Sequence, residues 1–318
     1  MMELPSLAEL EAAARTVYRH MPPTPQYRWP VLCEQLGADV WLKHENHTPV
    51  GAFKLRGGLV YFDQLAKVPG VIAATRGNHG QSVAYSAREY GIPATIVVPH
   101  GNSVEKNAAM RALGARLVEN GDDFQAAFEH AQSVAADQRL HMVPSFDRRL
   151  VAGVGTAALE LLRVVPDVQT LYVPIGLGSG ICAAIAARNA LGLRTEIVGV
   201  VSAHARAYAV SYAERRPVAL PVSTRLADGM AVRKPDAAAL EVIWGDVARI
   251  VEVSDDEVAQ AIRLIFQATH NVAEGAGAAG VAAMQRERSR IAGRQVAALL
   301  SGGNIDRPLF AEVLAHER

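Results

Sequence analysis

Short apolar runs rich in β-branched residues alternate along the whole chain with longer stretches whose apolar positions recur every three or four residues. The short runs predict strands at Val40–Lys43, Gly70–Thr75, Ala94–Pro99, Ala115–Val118, Met142–Pro144, Thr170–Pro174, Glu196–Val201, Ile250–Val253 and Val296–Leu300. The longer ones predict helices at Gln81–Tyr90, Val104–Leu113, Asp123–Asp137, Gly153–Val164, Ile181–Leu191 and Asp255–His270, besides an amphipathic helix at the N-terminus. Strands of this length alternating with helices imply an α/β fold built from doubly wound, mainly parallel sheets with helices on both faces. Gly91, Gly114 and Gly192 each fall between a predicted helix and the next strand, where a left-handed residue closes the helix. Only Arg215–Arg225 breaks the periodicity and reads as an irregular loop.

The chain has 318 residues, more than one ordinary domain, and half of them are hydrophobic, which excludes a largely disordered protein. No linker separates two beads in series. We therefore expect two lobes, one inserted in the other, with residues 1–45 and 146–318 as a large domain and 46–145 as a small mobile one. Lys plus Arg equals Asp plus Glu at 32 each, so there is no global field to hold nucleic acid or an anionic membrane. No stretch of eighteen apolar residues predicts a membrane span. The acidic N-terminus lacks the basic and apolar regions of a leader. Cys33 and Cys182 are the only cysteines, which fits a reducing cytoplasm rather than a disulfide framework.

Four segments carry candidate chemistry. In Lys43–Gly58, a turn at Pro49 and Gly51 starts a helix over 52–62 and puts Lys54 in its first turn, where a cation opposes the helix dipole. Alone, that lysine reads as readily on the surface as in a site that lowers its pKa for Schiff-base chemistry. In Ala74–Ser82, the run Thr75, Arg76, Gly77, Asn78 and His79 lies between a strand and a helix, where backbone N–H groups suit a carboxylate. In Val173–Ile181, Gly176, Leu177, Gly178, Ser179 and Gly180 follow a strand and open a helix. Their Gly-x-Gly-x-Gly spacing suits a phosphate and fits neither a dinucleotide fingerprint nor a P-loop. In Leu299–Asp306, Ser301 ends a strand, either facing a ligand or capping the next helix. Two further segments stay open. Asp228-Gly229 reads as a turn dipeptide. The small residues after Glu274 serve close helix packing or place that carboxylate beside a ligand.

Taken in order, Lys-x-Glu-Asn with Pro-x-Gly-Ala-Phe-Lys-x-Arg-Gly, Gly-Asn-His-Gly-Gln 24 residues beyond Lys54, the glycine loop and Ser-Gly-Gly-Asn resemble the threonine/serine dehydratase (ammonia-lyase) family. These are pyridoxal-phosphate enzymes of fold type II, the tryptophan synthase β-like fold. The resemblance runs from Thr24-Pro25 to the Ser-Gly-Gly-Asn turn. It implies two sheets with the cofactor, pyridoxal 5'-phosphate, between the domains. It implies that Lys54 carries the cofactor covalently and also serves as base, that Phe53 packs near the ring, and that Asn78 bonds its phenolic oxygen. Gly176 through Gly180 would bind the phosphate, Ser301 would meet the pyridine nitrogen, Glu274 would lie beside the cofactor, and residues 75–79 would hold the substrate carboxylate. The implied activity is α,β-elimination from a 3-hydroxy-L-amino acid, threonine or serine first, to a 2-oxo acid and ammonia, in a cytoplasmic homo-oligomer (dimer or tetramer).

Three departures shape that expectation. Arg76 replaces the serine usual in relatives, which argues against racemase activity. It also raises the alternative of an acidic 3-hydroxy amino acid, such as 3-hydroxyaspartate or an ectoine-breakdown intermediate. The phosphate loop lacks four consecutive glycines. Ser202–Arg206 lacks the acidic residues that hold a divalent ion in the serine-racemase branch, so no metal is expected. The short stretch beyond Ser301 leaves no room for an isoleucine-binding regulatory domain. The remaining alternative from another class is a pyridoxal-phosphate-fold protein that binds without catalysing.

Overall fold

The computed structural model describes residues 2–316. Among them, ten strands form two sheets. Strands β1 (Gln26–Arg28), β2 (Asp39–His44), β7 (Thr170–Pro174), β8 (Glu196–Ser202), β9 (Val247–Val253) and β10 (Gln295–Leu300) make a six-stranded sheet in the order β1-β2-β10-β7-β8-β9. Every neighbouring pair in it is parallel except β1 with β2. Strands β3 (Val71–Ala74), β4 (Ala94–Val98), β5 (Arg116–Glu119) and β6 (His141–Met142) make an all-parallel sheet in the order β5-β4-β3-β6. Along the chain, the strands of the second sheet all fall between β2 and β7 of the first.

Helices α3 (Lys54–Asp63), α4 (Asn78–Glu89), α5 (Val104–Ala112) and α6 (Phe124–Gln138) accompany the small sheet. Around the large one lie α1 (Leu7–Tyr18), α2 (Pro30–Leu36), α7 (Arg148–Val164), α8 (Ser179–Ala190), α9 (Ala207–Glu214), α10 (Ala237–Asp246), α11 (Asp255–Thr269), α12 (Gly275–Arg286), α13 (Arg288–Ile291) and α14 (Arg307–Ala315). Among the described residues no helix is long and apolar enough to cross a membrane. The predicted strands all occur, shifted by a residue or two at most ends, and Gly91, Gly114 and Gly192 have φ of 64°, 91° and 65° at helix ends. Sequence reading passed over β1, α2, α9, α10, α13 and α14, which are short or apolar without a clear period. The small residues after Glu274 do serve close helix packing. They are the first turns of α12, fully buried, with Gly275 against the Leu226 carbonyl and Gly277 against the Gly302 carbonyl.

Beneath the join of the two sheets lies a buried cluster of four charges. Arg56, on the first turn of α3, donates Nε to Glu45 Oε2 at 2.7 Å and Nη2 to Glu45 Oε1 at 3.0 Å. Its Nη1 and Nη2 reach the two oxygens of Glu160 on α7 at 2.6 and 2.9 Å. Lys43 Nζ, from β2, donates to Glu160 Oε2 at 2.5 Å and to the Thr24 carbonyl at 2.6 Å. Two cations and two carboxylates cancel, and the fork of Arg56 also meets Thr156 and Thr24 hydroxyls, so its donors are satisfied. Burial opposes the charge of Glu45, but the Arg56 guanidinium outweighs it and holds the carboxyl below its ordinary range. Arg56→Met should therefore leave Glu45 and Glu160 short of a partner and destabilise the fold by about 3–5 kcal/mol, read by urea-induced unfolding. Arg56→Lys should recover little of that loss, because an ammonium cannot span both carboxylates.

Candidate active site

The two sheets face each other across a cavity of about 890 Å³. At its floor is Lys54, the first residue of α3. Its side chain lies over the Phe53 ring, with Nζ 4.9 Å from the centroid, and Nζ donates to Ser179 Oγ at 3.0 Å. Among the described residues no carboxylate balances it, so burial alone lowers its pKa from 10.5 to about 8. Phe53 N donates to the Ser301 carbonyl at 2.9 Å, Gly303 N donates to the Gly51 carbonyl at 2.9 Å, and Ala52 bridges Gly302. This stitch brings the strand end carrying Ser301 against the turn that carries Lys54.

The glycine loop follows β7, as the general placement of ligands at strand C-termini anticipates. Gly178 has φ +107°, a conformation that side chains disfavour, and a Cβ there would stand 2.5 Å from that of Ala239. A Cβ on Gly176 would come within 2.6 Å of the Gly229 carbonyl, whereas at Gly180 only the Phe53 ring is near, at 3.7 Å. The Tyr208 hydroxyl donates to the Leu177 carbonyl at 2.8 Å and fixes the loop from behind. Helix α8 starts at Ser179 with no side-chain cap, so its first N–H groups and the positive end of its dipole meet the cavity.

Opposite lies the 75–79 loop. Thr75 Oγ1 accepts from Gly77 N at 3.0 Å and folds the loop back toward α4. Asn78 Nδ2 donates to Glu274 Oε1 at 2.7 Å, while its Oδ1 accepts from Asn304 Nδ2 at 2.8 Å. The second carboxylate oxygen of Glu274 is buried without a partner, and burial pushes that group up to about 7. His79 Nε2 is likewise buried without a partner, and burial with the nearby Lys54 charge holds the imidazole down to about 3, hence neutral. Arg76 is exposed on the cavity lining and makes no ion pair among the described residues.

The sequence profile of the pyridoxal-phosphate dependent enzyme family matches residues 17–302. The chain belongs to that family. It is similar to an L-threonine ammonia-lyase of Thermotoga maritima, 34% identical over 97% of this chain and 78% of the relative. A second L-threonine ammonia-lyase, from Geobacter sulfurreducens, is 39% identical over 86% of this chain and 69% of the relative. Its structure is similar to that of the processed form of threonine deaminase isoform 2 from Solanum lycopersicum, with TM-score 0.90 and 28% identity over 98% of this chain and 94% of the other. These likenesses accord with the fold type II architecture and the pyridoxal-phosphate cofactor expected from the sequence.

The residues present fit pyridoxal phosphate. An amine partly neutral near pH 8 can condense with an aldehyde, an uncapped helix start with an open position at Gly180 can receive a phosphate, and Glu274 brings a partnerless oxygen to the cavity lining. All the sequence-predicted residues, Phe53, Lys54, Thr75 through His79, Gly176 through Gly180, Glu274 and Ser301, line this one cavity. Ser301 does not cap the next helix, whose N-cap is Asp306. Among the cavity residues that escaped sequence reading are Lys106 and Asp228. Lys106 Nζ on α5 bonds Asp228 Oδ2 at 2.6 Å, although the Asp-Gly pair read only as a turn. A signal existed: like Lys54, Lys106 is a cation in a first helical turn.

The Lys54 shift has a stability consequence in the apoprotein. Its folded pKa of about 8 lies below the unfolded 10.5, so the folded state binds fewer protons between those values. Stability is therefore withheld below about pH 8 and regained as pH rises toward 10.5. Relative to Lys54→Met, the wild-type apoprotein should gain about 3 kcal/mol between pH 7 and 10.5, read by urea unfolding. A difference that stays constant with pH would refute the assignment.

Proposed function

We propose that this chain is a pyridoxal-phosphate-dependent ammonia-lyase that converts a small 3-hydroxy-L-amino acid, threonine or serine first, to a 2-oxo acid and ammonia. One observation carries the reading: a desolvated lysine, without a counter-charge among the described residues, beside two helix starts, at the glycine loop and at the 75–79 loop, whose N-cap residues make no side-chain cap. When bound, the cofactor supplies an electron sink for the substrate α-carbon. Lys54 would hold it, and the Lys54 amine would take the α-proton as base, since a pKa near 8 leaves a usable neutral fraction. Ser179 Oγ, 3.0 Å from Nζ, orients that amine and stands where a proton can pass to it. The 75–79 loop would anchor the substrate carboxylate, and Asn78, held from both sides by Glu274 and Asn304, would orient the ring. Ser301, which lines the cavity, would meet the ring nitrogen with a neutral hydroxyl, which suits prompt loss of the β-hydroxyl. Residues 46–145 act as a mobile small domain against 1–45 and 146–318, in a cytoplasmic homo-oligomer.

A second reading rests on Arg76, which lines the cavity and makes no ion pair with a carboxylate among the described residues. Its guanidinium would accept an acidic 3-hydroxy amino acid such as 3-hydroxyaspartate. A panel of 3-hydroxy amino acids scored for ammonia release decides between the two.

Lys54→Ala should remove both the absorbance of the bound cofactor and ammonia release, because anchor and base are lost together. Turnover near the wild-type rate would sink the assignment. Ser301→Asp should keep cofactor loading but slow elimination by about tenfold or more, measured as initial rates of 2-oxo acid formation, since a carboxylate would hold the ring nitrogen protonated.

A further inference from the structure

The N-cap and first turn of α5 carry three side chains that reach from the small-sheet side to the large-sheet side. Ser103 Oγ donates to Asp306 Oδ1 at 2.5 Å, and the Glu105 carboxylate accepts from Arg307 N at 3.1 Å. Lys106 completes the row with its 2.6 Å ion pair to Asp228. Of the three, only Lys106 and its partner line the catalytic cavity. The Lys106 side chain is 9% exposed, while that of Asp228 is 41% exposed, so the acid is reachable by solvent and the base is not.

Lys106 also underlies the 75–79 loop. A Cβ added to Gly77 would stand 2.6 Å from Lys106 Cδ, 3.3 Å from Cε and 3.5 Å from Nζ. The loop backbone therefore rests directly on the lysine stem, and the position of that stem is set by where its ammonium is tied. Burial opposes the ammonium charge, but Asp228 first, then Glu274 and Asp306, outweigh it and keep Lys106 cationic. One side chain thus contacts the loop through its methylenes and the opposite wall through its charge.

We propose that Lys106 is a positioning residue for the substrate: its ion pair with Asp228 across the cleft holds the 75–79 loop in the anchoring geometry, so that carboxylate binding and closure of the cleft are one event. The proposal rests on the reading of that loop as the substrate anchor. Breaking the pair lowers the population of the closed form, and apparent affinity falls by the same factor. Substrate at saturation restores closure, so turnover is affected much less than affinity. This split separates positioning from a general loss of structure.

The test uses the holoenzyme with Lys106→Met, Asp228→Asn, the double variant and Lys106→Arg. Ammonia release gives kcat and KM, and the cofactor absorbance titrated with L-alanine, which lacks a leaving hydroxyl, gives a dissociation constant without turnover. Both single variants should raise KM and the L-alanine constant about tenfold, with kcat within about threefold and cofactor loading unchanged. The double variant should be no worse than either single one, because one interaction is removed in all three. Lys106→Arg, which can still reach Asp228, should stay within about threefold of wild type. Unchanged KM and L-alanine binding in the single variants, or effects that multiply in the double variant, overturn the proposal. If Lys106→Met does not fold, Asp228→Asn on the solvent-reachable partner decides alone. A wild type that binds L-alanine but releases no ammonia overturns the functional reading instead, and the L-alanine titrations still decide the role of Lys106.

Discussion

The fork of Arg56 between Glu45 and Glu160 is the constraint on which the site depends. Arg56 stands two residues after Lys54 on the same helical turn, so fixing its guanidinium fixes the start of α3. Glu45 follows β2 and Glu160 lies on α7, so the cluster ties the first turn of a small-sheet helix to two elements of the large-sheet side. Close packing along the same line supports it: Gly153 on α7 lies against the Arg56 carbonyl, where a side chain would collide with backbone. A buried cluster of this kind contributes little net stability over an apolar equivalent, since desolvation offsets most of its attraction. Its value lies in direction. Apolar contacts would let the helix start slide, whereas two bidentate carboxylates define one position for it.

Two lysines in first helical turns meet opposite electrostatic fates in the same cavity. Lys54 faces a hydroxyl and an aromatic ring with no carboxylate in reach among the described residues, and burial makes its neutral form accessible. Lys106 is also buried but sits among Asp228, Glu274 and Asp306 and stays charged. The difference suits one to chemistry and the other to geometry. A nucleophile must lose its proton, while a tether must keep it. Glu274 shows the reverse arrangement. With Asn78 as its one side-chain partner among the described residues and a second oxygen unbonded, it is pushed up to about 7 and can hold or give up a proton at working pH.

Much of the fold was legible because its signals are local. The β-branched runs of β3, β4, β7 and β10 and the glycines after their helices report backbone requirements that neighbouring residues cannot change. The glycine loop was legible for the same reason, since Gly176 and Gly178 leave no room for a side chain and Gly178 takes an unusual φ as well. By contrast, α10 carries almost no polar face, and α12 is buried on nearly all sides, so neither shows a helical period. The pairing of Lys106 with Asp228 joins residues 122 positions apart. No spacing rule reports such a contact. The Asp-Gly dipeptide does turn, within a short 3-10 helix at 228–230, and the turn is what aims the carboxylate at the cleft.

The wall that holds Ser301 follows from the smallness of its neighbours. Gly277 on α12 packs against the Gly302 carbonyl, and a Cβ on Gly302 would come within 2.6 Å of Glu274 Oε1. Side chains at either place would push the strand end away from α12 and open the stitch to Gly51, Ala52 and Phe53. Asn304 then closes the circuit by donating through Nδ2 to both the Val50 carbonyl and Asn78 Oδ1, each at 2.8 Å. Lys54, Asn78, Glu274 and Ser301 come from four separate segments of the chain, yet each is one or two contacts from this backbone seam. A seam without side chains has few rotamers to adjust, so the four groups keep their spacing. Specificity must then be set by the residues outside the seam. Among these, Arg76 is the cation of the 75–79 loop, and it makes no ion pair among the described residues.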